Sequence, residues 1–379
     1  MLALGFRPFF ILAATAGILL LTLWILIWTG TLPGEYYYGT VGWHSHEMLF
    51  GYTPAVIAGF LLTAVRNWTG VNTPNGKPLA ALAILWILGR LLPLTPGIPG
   101  LLVAATDIAF IPMVALSIQP ALWQGKQRIN RIFVPLLLLM AVANLLVHLG
   151  SLGVASTAPL GTGLMMHLII FLLTIIGGRV MPFFTRAVVE GYEPKSVPFV
   201  EYAGVATLGL LIIAEVVSAP AWSIALLAGL FSLSQLVRLV IWHDVRVWST
   251  PILWVLYTGF LWIVIGYSLY ALAAFDAVPV NAAKHALTIG GIGSMTLGMM
   301  ARVSLGHTGF PIHPRRMVEI GFVLMNISAL TRVFGTMLIP ERYLFWVHLS
   351  GGLWILCFAV FAAVYVPILI RPRADGKPG

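Results

Sequence analysis

Twelve apolar runs follow one another along this sequence, and each is long enough to cross a lipid bilayer. A membrane-spanning helix needs about 20 apolar residues. The chain is 60% hydrophobic and only 9% charged, whereas soluble domains carry roughly 25% charged residues. We therefore predict an all-α, multi-pass membrane protein with spans at approximately 7–29, 44–66, 78–95, 98–119, 130–150, 160–183, 199–218, 221–243, 251–274, 281–304, 316–338 and 343–370.

The basic residues set the predicted orientation of these spans. If the N-terminus is cytoplasmic, all but four of the 21 Lys and Arg residues lie at inner helix ends. A cytoplasmic excess of basic residues is the rule for membrane proteins, so both termini are predicted inside. The net charge of +9 follows from this asymmetry and is no nucleic-acid signal, so lipids are the expected surroundings. The four outer residues are Arg90, Lys284, Arg332 and Arg342.

Nine histidines are the second unusual feature, because ionisable side chains inside hydrocarbon are costly and are functional candidates by default. In the predicted topology, six of them lie in the outer half of the membrane. An interhelical hydrogen bond explains any one of them equally well, but six at one depth favour a shared task. The six are His44, His46, His148, His167, His285 and His348.

An internal repeat relates two of these histidines. Aligning His46 with His285 superposes two glycine pairs and a Thr-Gly pair, in the pattern H-x4-G-x7-G-x9-T-G. This match equates the second span with the tenth, and His167 lies on the sixth. A period of four helices predicts three pseudo-threefold related units inside one transmembrane domain of residues 1–379, at approximately 1–120, 121–245 and 246–379.

These histidines have the chemistry of metal ligands, because neutral imidazole binds heme iron and copper well. His46 and His285 are predicted as the axial ligands of one heme. His44 points about 200° away from His46 on a regular helix, so the two are not expected to share a metal. The single cysteine excludes covalent attachment through C-x-x-C-H, so the heme would be a non-covalent heme b. The other outer histidines are open to a copper site or a second heme: His44, His148, His167 and His348.

Three carboxylates and two arginines complete the predicted site. Glu47, Asp107 and Glu215 lie in outer-half segments, where they could carry protons or orient a ligating histidine through its second nitrogen. Arg90 and Arg332 could pair with these acids or with the propionates of a heme. The alternatives are a helix–helix hydrogen bond for Asp107 and snorkelling to the headgroups for the arginines.

Four segments spread along the chain make the sequence similar to the NnrS family. They are GFRPFF at 5–10, HSHEMLFGY at 44–52, GRVMPFFTR at 178–186 and ARVSLGHTG at 301–309. The resemblance implies a polytopic protein of the bacterial inner membrane that contains heme and copper and takes part in nitric oxide metabolism, in detoxification or denitrification.

The order of the helices also resembles that of the heme–copper oxidase and nitric oxide reductase superfamily. There, histidines of the second, sixth and tenth helices hold the metals. The likeness is incomplete, because the seventh span here has no histidine and the outer half of the tenth has only His285. At most, a heme between the second and tenth helices carries over to His46 and His285.

The histidines and the resemblance together predict an enzyme that reduces nitric oxide to nitrous oxide at an outer-leaflet metal site. Electrons would come from a quinol or a redox protein. Two alternatives stay open. One is a heme or copper binding protein that protects metal homeostasis under nitrosative stress, and the other is a transporter, since twelve spans with repeats are also a transporter layout.

Overall fold

The computed structural model describes residues 1–32, 34 and 36–376. These residues form twelve helices that are long and apolar enough to cross a membrane, so the predicted fold class and span count are confirmed. The third and fourth spans are separate helices although only five residues join them. The helices are α1 (Phe6–Trp28), α2 (Thr40–Thr69), α3 (Gly76–Leu94), α4 (Gly100–Gln124), α5 (Arg128–Ser151), α6 (Ala158–Val188), α7 (Pro198–Val216), α8 (Ala221–Trp242), α9 (Pro251–Ala273), α10 (Val280–Thr308), α11 (Arg316–Leu338) and α12 (Pro340–Ile370).

The chain divides into two compact units. The first holds the described parts of residues 1–168, 303–311 and 361–379, and the second holds 169–302 and 312–360. The predicted division into three four-helix repeats is a different grouping, and it stays a prediction.

Close packing of α1 against α2 builds the core of the first unit. Gly59 makes this possible, because a Cβ at that position would lie 2.8 Å from the ring of Phe10. The backbone N–H of Phe6 donates to the hydroxyl of Thr63 at 3.0 Å, which ties the start of α1 to the inner half of α2. With little hydrophobic force between helices in lipid, such small-residue contacts and interhelical hydrogen bonds hold the helices together.

Arg7 joins the two ends of the chain. Its Nη1 donates to the carbonyl oxygens of Leu369 at 2.7 Å and of Arg371 at 2.6 Å. The start of α1 and the end of α12 therefore lie on the same side of the membrane, as an even number of crossings requires. That this side faces the cytoplasm stays a prediction from the basic residues.

The second unit has its own apolar core around Trp262 on α9. This residue packs with Ala282 and Ala286 of α10 and with Val333 of α11. The indole Nε1 of Trp262 donates to Oδ1 of Asn326 at 3.0 Å, so α9 and α11 share a hydrogen bond at the same level.

The two spans related by the sequence repeat also share an irregular local structure. In α2 a π-helical segment, Glu47–Tyr52, follows His46 directly, and in α10 another, Ala286–Gly293, follows His285. After both spans comes a glycine with a left-handed backbone, Gly70 with φ of 73° and Gly309 with φ of 80°. Only glycine adopts that conformation readily, which explains why the Thr-Gly pair recurs at both helix ends.

Candidate metal centre

The outer end of α2 places two polar side chains in the interior of the first unit. His46 is 1% exposed and Glu47 is fully buried. The imidazole of His46 is stacked between the rings of Tyr38, at 3.9 Å, and Phe50, at 5.0 Å. His44, two residues earlier, points elsewhere and stacks on Trp24 at 4.1 Å. The helix register therefore separates the two imidazoles, as their spacing predicts.

Asp107 of α4 is the centre of the buried cluster. Its Oδ2 lies 3.1 Å from Nε2 of His46 and 3.0 Å from Nε2 of His148 on α5. The same oxygen accepts a hydrogen bond from Nδ2 of Asn144 at 2.8 Å. All four side chains are at most 3% exposed, so four polar groups from three helices meet inside hydrocarbon.

Arg90 of α3 links the two acids of the cluster. Its Nη1 donates to Oε1 of Glu47 at 2.9 Å, and its Nη2 is paired with Oδ1 of Asp107. Two glycines leave space for the guanidinium and the carboxylates, because they have no side chain at the points of closest approach. A Cβ at Gly51 would lie 2.6 Å from Nη1 of Arg90, and one at Gly89 would lie 2.9 Å from Oδ1 of Asp107.

The charges of this cluster leave room for one more cation. One guanidinium faces two carboxylates, and a buried net negative charge is strongly disfavoured in hydrocarbon. Both ring nitrogens of His46 face acceptor oxygens, since Nδ1 lies 3.3 Å from Oε1 of Glu47 and Nε2 lies 3.1 Å from Oδ1 of Asn144. Either a second proton on His46 or a metal cation bound at Nε2 satisfies this arrangement.

The ligand atoms have the spacing of a metal site. One donor atom from each of His46, Asp107 and His148 lies within 4.8 Å of the other two. Metal–ligand bonds of about 2.1 Å that meet at roughly 90–110° place neighbouring donors about 3.0–3.4 Å apart. The two Nε2–Oδ2 distances of 3.1 and 3.0 Å fall in that range. Two imidazoles and a carboxylate suit iron, copper, zinc or manganese.

A second layer of contacts fixes both imidazoles in the form that a metal needs. A ring that offers Nε2 as a ligand carries its proton on Nδ1. For His46 this Nδ1–H donates to Glu47. For His148 it donates to the hydroxyl oxygen of Tyr37 at 3.1 Å, and that hydroxyl in turn donates to the carbonyl of Gly100 at 3.4 Å. Metal-binding histidines usually have such an acceptor behind them.

Two tyrosines of the α1–α2 connection cover the outer side of the cluster. Burial raises the pKa of Tyr37 to about 12, and burial also raises the pKa of Tyr38 well above its usual value. Both phenols are therefore neutral at physiological pH, and the hydroxyl of Tyr37 keeps the proton that it donates to Gly100. Neither of these two phenols adds negative charge to the site.

Sequence comparison places this arrangement in a family. The profile of the family described as NnrS protein matches residues 1–373. The chain belongs to the NnrS family. No curated protein matches it. Since the match covers nearly the whole chain, both compact units and the buried cluster are parts of the NnrS protein.

The packing that surrounds His46 in this NnrS chain favours a single metal ion over a heme. Aromatic rings cover both faces of the ring. Nε2, the nitrogen that would bind iron, already faces Asn144 and Asp107. A porphyrin there would have to displace both side chains from α4 and α5, whereas a single metal ion fits between the donors that are present.

The remaining predicted residues lie outside this group of three donors. His167 is buried in α6. Glu215, predicted as a proton carrier, belongs to the second unit and accepts a hydrogen bond from the hydroxyl of Tyr270. His285, Arg332 and His348 also belong to the second unit. The structure thus brings together five predicted residues, namely His46, Glu47, Arg90, Asp107 and His148.

Sequence reasoning missed the polar and aromatic residues that support the donors. Asn144 lies four residues before His148, so both face the same side of α5, and this pair of polar residues in an apolar helix was a usable signal. Tyr37 and Tyr38 lie in the connection between α1 and α2, and hydropathy does not indicate that residues of this connection contact the metal centre. Gly51 and Gly89 carry no chemistry and are recognisable only from the side chains that approach them.

Proposed function

We propose that this NnrS protein binds a redox-active metal ion at His46, Asp107 and His148 and there reduces nitric oxide to nitrous oxide. Family membership associates the chain with the response to nitric oxide. The observation that carries the proposal is the buried set of two imidazoles and one carboxylate. Zinc would fit the same donors but has no redox chemistry, so we favour iron or copper.

The reaction sets the tasks of the protein. Two molecules of nitric oxide, two electrons and two protons give one molecule of nitrous oxide and one of water. A bound redox-active metal would transfer electrons from the quinol or redox protein and offer a coordination position for nitric oxide. His46, Asp107 and His148 would hold the metal, Glu47 and Tyr37 would orient the two imidazoles, and Arg90 would keep both carboxylates in place.

The second unit offers a better place for the predicted heme. His285 and His348 each have Nδ1 within 2.6 Å of the carbonyl oxygen four residues earlier, in Asn281 and Leu344. Donation to that carbonyl puts the proton on Nδ1, so the lone pair that can bind a metal is on Nε2. Arg332 is 8% exposed, and its Nη2 donates to the hydroxyl of Tyr343 at 3.2 Å. No carboxylate among the described residues pairs with this guanidinium, which suits a heme propionate.

Spacing along the chain supports equivalent roles for these residues. Arg90 and Asp107 precede and follow the pair Ile98-Pro99, with Asp107 nine residues after the isoleucine. Arg332 and His348 likewise precede and follow the pair Ile339-Pro340. His348 is again nine residues after the isoleucine, while Arg332 is seven residues before it and Arg90 eight before Ile98. Where the first unit has the acids Glu47 and Asp107, the second has Ala286 and His348. The second unit therefore has no acid at the two positions whose carboxylates pair with Arg90 in the first unit, and it has an additional imidazole, that of His348. Pairing of His46 with His285 on one heme stays a prediction.

The setting of the reaction also belongs to this proposal. We place the protein in the bacterial inner membrane, with the metal centre in the outer leaflet and electrons delivered by a quinol or a redox protein. The outer position follows from the basic residues at the opposite helix ends. Nitric oxide is small and apolar and can reach the centre through the lipid.

Purified protein provides the test of this function. We expect bound iron or copper by elemental analysis and consumption of nitric oxide at an electrode with a chemical reductant. His46→Ala and His148→Ala should each lose the metal and the activity, because two of three ligands cannot hold it buried. His313→Ala, which changes an exposed histidine, should keep both.

Each failure has its own meaning. Full metal content and full activity in the double variant His46→Ala/His148→Ala would refute the assignment of the site. Metal that is bound by the wild type without turnover of nitric oxide would instead favour the non-catalytic binding protein.

A further inference from the structure

An apolar cavity lies in the first unit between α2, α4 and α5. Apolar side chains alone line it, and it has room for about one water-sized molecule. Such a cavity offers a water no hydrogen-bond partners, so it is expected to stay dry. Its lining residues are Pro54, Ile57, Ala58, Phe110, Ile111, Val114, Leu137 and Met140.

Helix register places this cavity directly inward of the metal centre. On α4, Phe110 and Ile111 lie one turn after Asp107 and on the same face. On α5, which runs the other way, Met140 lies one turn before Asn144. At about 1.5 Å of rise per residue, these nearest lining residues lie about 4–6 Å below the cluster. On α2 the lining extends to Ala58, about 18 Å beyond His46 along the helix. The same three helices that carry His46, Asp107 and His148 therefore carry the cavity wall.

We propose that this cavity is the docking site of the reaction's substrate, a neutral diatomic gas. The inference rests on the proposed function, because it names the place where nitric oxide is held on the inner side of the metal centre. The apolar lining matches the weak polarity of such a gas, and the small volume excludes a lipid chain or a quinone. A gas molecule that reaches the cavity from the lipid has no hydration shell, so its binding carries no cost of removing water.

Ala58 is the position at which the cavity can be filled. It is 1% exposed and its side chain faces the cavity, so Ala58→Leu puts three further carbons into the space. We expect the KM for nitric oxide to rise about tenfold or more, the scale of a one-methylene difference in an apolar pocket, while kcat changes little. Ala105→Leu is the matched control, because Ala105 is an exposed residue of α4.

Xenon is the probe that does not depend on turnover. We expect one xenon atom in the cavity of wild-type crystals under xenon pressure and none in Ala58→Leu. Ile111→Ala enlarges the cavity and should raise the xenon occupancy, which covers the case in which Ala58→Leu does not fold.

The outcomes separate the two proposals. No xenon in the wild type and in Ile111→Ala, or an unchanged KM in Ala58→Leu, overturns the cavity as the docking site. Xenon in the cavity of a protein that does not consume nitric oxide overturns the enzymatic function, and with it the substrate role, while it upholds a small-gas site.

Discussion

Loss of the Arg90 side chain should destabilise this protein more than loss of any exposed charge. In Arg90→Met, Glu47 and Asp107 lose the guanidinium that lies between them. The side chains of the three residues are 6%, 1% and 3% exposed, so this is a buried network and not a surface ion pair. Removal of one partner from a buried pair costs about 3–5 kcal/mol, against about 0–1 kcal/mol at the surface.

Metal binding should recover part of that loss. Without the guanidinium, the two carboxylates leave the site with a larger negative charge, which favours a bound cation. We therefore expect the metal-free form of Arg90→Met to lose about 3–5 kcal/mol of unfolding free energy and the metal-loaded form to lose less. Reversible unfolding in mixed micelles of SDS, with and without a chelator, measures both values.

Two further variants test the electrostatic reason. Arg128→Met removes an exposed charge on the inner side and should stay within about 0.5 kcal/mol of the wild type. Glu47→Gln/Arg90→Met should be less destabilised than Arg90→Met alone, because one of the two uncompensated acids is gone. A change below about 0.5 kcal/mol in metal-free Arg90→Met would refute the reasoning.

Three other predictions concern the surroundings of the two sites. Gly51→Ala should lower metal occupancy, because the new Cβ would lie 2.6 Å from Nη1 of Arg90. Gly209→Ala is the control, since a Cβ there has no atom within 4 Å, and it should leave the occupancy unchanged. Elemental analysis of both variants measures the metal content. Tyr37→Phe removes the acceptor behind His148 and should weaken metal affinity about 10-fold to 100-fold, measured by competition with a chelator; unchanged affinity would contradict the role. Arg332→Gln should lower heme content in absorbance spectra without loss of the metal of the first unit, and parallel loss of both would contradict separate sites.

Hydropathy and charge were sufficient to predict the twelve spans, because the bilayer limits helix length and the basic residues mark one side. The same reasoning placed His46, Glu47, Arg90, Asp107 and His148 at one depth. It could not predict that these side chains contact one another, because the depth of a residue in the membrane does not determine which helices pack side by side. The structure supplies that information through close contacts such as that between Gly89 and Asp107.

Ligand assignment from the repeat had a different weakness. The match of His46 with His285 reflects a shared backbone, with a π-helical segment and a left-handed glycine in both spans. A shared backbone does not give a shared ligand environment. His46 is surrounded by Glu47, Asn144 and Asp107. At the positions that correspond to Glu47 and Asp107, the second unit has Ala286 and His348.

Pro54 explains the irregular turn that shapes the metal centre. Proline has no N–H, so the carbonyl of Phe50 lacks the donor that a regular helix would supply from residue 54. The helix widens just before this proline. Side chains add hydrogen bonds in the widened turn. Trp86 Nε1 donates to the carbonyl of Gly51 at 2.9 Å, and Thr53 Oγ1 donates at 2.8 Å to the carbonyl of Met48, which also accepts the backbone N–H of Thr53.

The second unit reaches the same irregular turn by other means. Position 293, which corresponds to Pro54 in the repeat, is a glycine, and the π-helical segment there contains Gly290 and Gly291 as well. Glycine lowers the cost of a distorted helix but does not remove a donor. Two different local sequences therefore keep one backbone shape after the repeat histidine. Such agreement is expected if the shape itself, which turns the residues after the histidine toward the interior, is what both sites require.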